Sequence, residues 1–271
     1  MNKAYLIIIA ALFLGCQSGP QQAAKELTIL GTVHFPTEGI NADSIYQALL
    51  TIQPEVILLE RDSSAFDDDF NRLFDDEGNE TLAIARFFDT YPNTLIRPIE
   101  FEGRDTFRDQ TGLYPQANDV YQKLNELSRS GSFNDQEQQF WDRFAYFWVK
   151  LDSMASINLR AINTDYSDTI LDSAKKYQYT KMKEIVANND AFKEMMLDSK
   201  GDSISMKAYF DKWEQFEHYS RNNAMVDNII RTMNSMEQQK FVLIVGYHHR
   251  YYIKKALKDK APNILLTEFY E

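Results

Sequence analysis

The chain of 271 residues carries a net charge of −11 and is 44% hydrophobic, with 18 Phe and 15 Tyr. That content supports a substantial buried core and excludes a disordered chain. The acidity argues against nucleic acid as a partner, because phosphate contacts need a basic surface. It reads instead as a solvated surface that maintains solubility.

The N-terminus, "MNKAYLIIIAALFLGC", holds one Lys and then an apolar run over residues 4–14. The run is too short to span a bilayer and has the length of a signal-peptide core. It ends in small Gly15 followed by Cys16, the only cysteine. This resembles a bacterial lipobox, which implies cleavage before Cys16 and lipidation of that residue. The expectation is a signal peptide over 1–15, a polar tether over 16–25 and a single α/β domain over 26–271. The mature protein would be exported, facing the periplasm or the cell surface, with acyl chains in a membrane. With Cys16 acylated, no thiol remains for disulfides, nucleophilic catalysis or zinc.

"ELTILG" predicts a first strand, stopped by Gly31. Asn41 is a fitting N-cap for a helix that carries Ile45, Ala48, Leu49 and Ile52 on one face and ends at Pro54. "EVILLERD" is a continuous apolar run, as in a strand covered on both sides. The acidic stretch "AFDDDFNRLFDDEGNE" lacks the glycine that an EF-hand loop requires and reads as solvated rather than calcium-binding. "ETLAIARFFDTY" predicts a helix and "NTLIRPIEFEGRD" a third strand. Strand–helix alternation of this kind predicts an α/β fold with a parallel central sheet.

A long helical insertion, about 114–239, then splits the sheet pattern. Its clearest helix covers 134–154, with Phe140, Phe144, Phe147, Leu151 and Met154 at helical spacing. That stripe reads as a packed face, with lining of a pocket as the alternative. Further helices are expected over 169–197, 206–219 and 221–236. "LDSKGDS" reads as a polar loop, and "LRAINTDY" as a short strand or a connection. "KFVLIVG", "RYYIKKALKD" and "NILLTEF" then give strand, helix and strand.

Three of the 4 histidines fall in two similar places. "ILGTVHF" and "LIVGYHH" are each an apolar strand followed by G-x-x-H, giving Gly31 with His34 and Gly246 with His249. In a parallel sheet the C-terminal strand ends share one edge, where ligand crevices form. Other strands end in Glu60, Arg61 and Asp62, and in Glu100, Glu102, Arg104 and Asp105. Two imidazoles and a carboxylate suit a divalent metal, Mn, Co or Zn, with an open water position. They equally suit metal-free hydrolysis, with one histidine or Glu60 as base and a second histidine or an arginine on the oxyanion. His248, beside His249, should point elsewhere and play a supporting part. His218 reads as a helix-face residue. No G-x-S-x-G, H-E-x-x-H, P-loop or G-x-G-x-x-G pattern occurs.

These motifs resemble the superfamily that joins the TraB/GumN and TIKI proteins, the erythromycin-esterase-like enzymes and the ChaN-like haem-binding lipoproteins. The matching positions are Gly31, His34, Glu60, Gly246 and His249. "LGTVHFPTEGINAD" is similar to the start of an uncharacterised bacterial family in that superfamily. Arg221, Asn222 and Met225 match its R-N/D-x-x-M segment. The resemblance implies a hydrolase acting on a peptide, amide or ester, with His34, Glu60, His249 and Arg221 at the centre. Arg221 would bind an anionic substrate group or the oxyanion. The ChaN branch implies haem or another iron ligand held by a histidine. A degenerate member serving as an interaction protein is the third expectation.

Overall fold

A computed structural model describes residues 24–74, 77–113, 117–199 and 202–270. The signal peptide, the lipobox and Cys16 lie outside the described residues, as does most of the tether.

Among the described residues the strands are β1 (Glu26–Thr32), β2 (Val56–Leu59), β3 (Leu95–Pro98), β4 (Met196–Ser199), β5 (Asp202–Ser205), β6 (Lys240–Gly246) and β7 (Leu265–Thr267). Five of them make a central sheet in the order β3-β2-β6-β1-β7. Every neighbouring pair in it is parallel. The fold is therefore α/β, as the strand–helix alternation predicts. The late strand β6 lies at the centre, between β1 and β2, so both G-x-x-H strands are adjacent.

The inner strands are apolar on both faces, and alternate residues separate cleanly into two cores. Leu30, Ile57, Leu59, Val242 and Ile244 face one side. There they meet α1 (Ala42–Ile52) through Ile45, Ala48, Leu49 and Ile52, and α2 (Asn79–Thr90) through Ala83, Ile84 and Phe87. Asn41 caps α1 in a reciprocal capping box with Ser44. Truncating a fully buried residue such as Leu49 to Ala would cost roughly 2–5 kcal/mol. On the other side, Leu27, Ile29, Val56, Leu58, Phe241, Leu243 and Val245 meet α9 (Arg221–Ser235) and α10 (Tyr247–Lys260).

The insertion is helical, with one exception. After α3 (Arg104–Thr111), which precedes it, it contains α4 (Ala117–Arg129), α5 (Asp135–Ile157), α6 (Asp165–Lys176), α7 (Met182–Asn188) and α8 (Met206–Trp213). Much of it closes over a third core of its own, which includes Leu124, Met182, Tyr209, Phe210 and Trp213. The helix expected over 169–197 stops at Asn188, where Asn189 caps a short turn through its side chain. Instead of a polar loop, "LDSKGDS" carries the antiparallel β4–β5 hairpin. The α8 and α9 helices are one rod, joined by a π-helical stretch at Glu214–Ser220.

"LRAINTDY" is a connection that finishes a strand edge. The edge strand β7 pairs with β1 only as far as Thr28. Beyond it, the Asn163 amide accepts from Gly31 N at 2.7 Å and donates to Gly31 O at 2.8 Å. Those peptide groups would otherwise be buried and unsatisfied. Gly31 does not stop β1, which runs on to Thr32. Its role is close approach, because a Cβ there would lie 3.1 Å from Tyr247 Cα on α10.

Candidate active site

The C-terminal ends of β1, β2 and β6 meet under the helical cap, and His34, Glu60 and His249 come together there. A cavity of about 630 Å³ is lined by all three. A second hollow of about 640 Å³ adjoins it, and the two share His34, Phe35, Glu60, Arg104 and Gly246 in their walls. Gly246 is the pivot: a Cβ there would lie 3.3 Å from Glu60 Oε2, 3.6 Å from His34 Nε2 and 3.8 Å from His249 Cδ2. Any larger residue would enter the space the three side chains surround.

Each histidine is oriented through Nδ1. His34 sits on the loop after β1, with 61% of its side chain exposed at the cavity mouth. Its Nδ1 lies 3.1 Å from Glu80 Oε1, and a carboxylate can only accept, so Nδ1 carries the proton. Glu80 also accepts from Thr32 Oγ1 at 2.6 Å. The start of α2 clamps this loop: Asn79 donates to His34 O and Val33 O. The Glu80 hydrogen bond raises the His34 pKa above its ordinary value, against the opposing effect of burial.

His249 lies in the first turn of α10, on a helix rather than in a loop, with 14% of its side chain exposed. Its Nδ1 is 2.7 Å from Asn222 Oδ1. The Asn222 amide is fixed because its Nδ2 donates to His218 O at 2.7 Å and Glu217 O at 3.2 Å. Oδ1 must therefore accept, and the His249 proton sits on Nδ1. Burial, with the Arg221 and Lys175 charges, holds the His249 pKa well below its ordinary value. Both rings thus expose an Nε2 lone pair when neutral, and that of His249 is 3.7 Å from Glu60 Oε1.

Glu60 is anchored twice. Its Oε2 accepts from Gly246 N at 2.6 Å and its Oε1 from Arg221 Nη2 at 2.5 Å. Arg221 also pairs with Glu100 and reaches Glu217. Arg104 pairs with Glu100, and Arg108 with Glu217. This buried lattice of three guanidinium and three carboxylate groups forms the floor. The wide π-helical turn places Glu217 and His218 in the cavity wall just before Arg221 and Asn222.

Of the residues the motifs single out, His34, Glu60, Arg104, Arg221, Asn222, Gly246, His248 and His249 line one cavity. Arg221, however, is buried with its donors directed at carboxylates, so it positions Glu60 rather than offering itself to an anion. Glu100 lies behind it, while Glu102 accepts from Ser63 away from both hollows. Asp62 accepts from Gly103 N and Asp105 pairs with Arg104. Arg61 lines the second hollow. His248 lines the same cavity, with its ring 4.9 Å from that of Trp148. His218 stacks on Tyr179, and burial lowers its pKa to about 4. Of the aromatic stripe on α5, Phe140 and Phe144 pack in the third core and Phe147 against the first. Trp148, one position further on, lines the cavity.

Motif reasoning missed Glu80, Trp148 and Lys175. Glu80 ends the stretch read as a solvated acidic loop and looks like an ordinary acidic residue in a first helical turn.

No family model, curated protein or solved structure matches the chain. The superfamily resemblance rests on the motifs alone.

Among the described residues no three His, Cys, Asp or Glu side chains are grouped to hold a metal. Each Glu60 oxygen accepts one hydrogen bond, and both histidines keep Nε2 free toward the crevice.

Proposed function

We propose that the protein is a hydrolase that splits an ester, amide or peptide bond with a water activated between His34 and His249. The observation that carries this reading is the matched pair of imidazoles. Each has its proton held on Nδ1, and each offers Nε2 to one crevice above Glu60.

His34 is the base. The Glu80 carboxylate orients its ring and stabilises the imidazolium formed when Nε2 takes a proton from water. The resulting hydroxide attacks the substrate carbonyl carbon. Arg104, in the wall shared by the two hollows and held there by Glu100 and Asp105, contributes its field rather than a free donor to the developing oxyanion. Protonated His34 then returns its proton to the leaving oxygen or nitrogen. His249 stays neutral because of its burial and accepts a hydrogen bond from the water, fixing the direction of attack. The two hollows on either side of this wall receive the acyl and leaving portions of the substrate. Exposed Phe35 stands at their common mouth.

The lipobox-like "FLGC" supports an exported, lipid-anchored location for this activity. The test is hydrolysis of a panel of aryl esters, lactones and short peptides. Turnover of one class should fall by about 10²–10⁴ in folded His34→Ala and His249→Ala variants. Undiminished turnover in both would overturn the reading.

A further inference from the structure

The cap side of the first cavity holds a cation that the catalytic scheme does not use. Lys175, on α6, lies half-buried in the wall. The other cations there are engaged: Arg104 with Glu100, Arg108 with Glu217, and Arg221 with Glu60 and Glu100. Among the described residues no carboxylate lies within ion-pair distance of Lys175. One of its protons goes to Gln178 Oε1 at 2.9 Å. Its ammonium otherwise rests near ring faces, 5.1 Å from the Trp148 centroid and 5.6 Å from that of Tyr179.

Two more polar groups around it lack a protein partner. Trp148 Nε1 and His248 Nε2 are both buried and unpaired, and both residues line the same cavity. The indole N–H can only donate, and neutral His248 can donate from Nε2. Buried donors of this kind carry a desolvation penalty unless an acceptor meets them. Burial also pushes the Lys175 pKa down to about 8, as expected for a cation with no anion beside it.

We propose that Lys175, Trp148 and His248 form a carboxylate receptor, so that the hydrolase takes esters or amides bearing a carboxylate next to a flat apolar group. One ammonium and two neutral N–H donors match the single charge and two oxygens of a carboxylate. The rings of Trp148, Tyr179 and Trp213 in the wall supply the flat apolar surface. The fate of the bound ligand rests on the hydrolase reading, but its capture does not.

The probe is benzoate, titrated into the full chain and followed by tryptophan fluorescence, with benzamide as a neutral analogue of the same shape. Benzoate should bind saturably and at least about tenfold more tightly than benzamide, as for a charge-assisted contact. Lys175→Met, checked for folding by its melting curve, should lose that preference. Lys175→Arg should keep most of it. Trp148→Phe, which keeps a ring but loses the N–H, should weaken benzoate severalfold. Equal binding of benzoate and benzamide, or wild-type benzoate affinity in Lys175→Met, would overturn the receptor. Benzoate binding in a protein that hydrolyses nothing in the panel would leave the receptor standing and defeat the hydrolase reading. Hydrolysis indifferent to a substrate carboxylate would do the opposite.

Discussion

His34 Nδ1 and Glu80 Oε1 lie 3.1 Å apart across the mouth of the crevice, joining the loop after β1 to the first turn of α2. This contact gives one of the two histidines facing the crevice a different basicity from the other. Glu80 raises His34, whereas burial and nearby cations lower His249. His34 therefore titrates above the ordinary histidine value and His249 well below it.

The sign of the pH effect follows. His34 acts as a base only when neutral, so the rate should climb with pH through a value above 6.5. Of the charged groups around it, Glu80 and Glu60 raise this value and Arg61 lowers it. In Glu80→Gln the acid limb of kcat/KM should move to lower pH and the plateau should fall. An unmoved limb would show that Glu80 is only structural. For stability, the raised pKa helps the fold below about 6.5 and that help fades as pH rises through the folded value.

The ion lattice under Glu60 should be costly to break from one side. Arg221→Met leaves Glu60 and Glu100 buried without their main partner, at roughly 3–5 kcal/mol. Chemical denaturation should show a lower midpoint with an unchanged slope. A loss under 1 kcal/mol would mean that the carboxylates find solvent or other donors.

Gly31 should resist substitution for reasons of space. An added Cβ meets the start of α10, which carries His249. Gly31→Val should cost about 1–3 kcal/mol by overpacking. It should also reduce kcat in protein that is still folded, because α10 moves. Full activity at normal stability would contradict the tight strand–helix contact.

Metal and haem are separated by simple measurements. If the two histidines activate water without a metal, hydrolysis should survive EDTA, and added Mn, Co or Zn should not raise it. A stoichiometric metal lost in His34→Ala would instead indicate a metallohydrolase. A Soret band on haem addition, abolished by His249→Ala, would favour the ChaN-like alternative.

Much of this architecture was readable from the residues. Apolar runs marked the strands, and Asn41 with the Ile45 face marked α1. The two G-x-x-H motifs identified His34 and His249 as partners, and adjacency of β1 and β6 explains why. Pattern could not reveal partners set by tertiary packing. Glu80 is an unremarkable first-turn acid until the loop at His34 lies over it. Lys175 looks like a surface lysine on an amphipathic helix until the cap closes around it. The β4–β5 hairpin escaped notice because its strands are four residues each and rich in Asp and Ser. Arg221 was placed in the pocket, but its role depends on three carboxylates brought from distant segments.

The most direct test of the central claim is the protonation state of the histidines by ¹⁵N NMR across pH. His34 and His249 should both carry their neutral-form proton on Nδ1. His34 should titrate above 6.5, and His249 should stay neutral well below it. A His34 titrating at or below 6.5, or either ring holding its proton on Nε2, would contradict it.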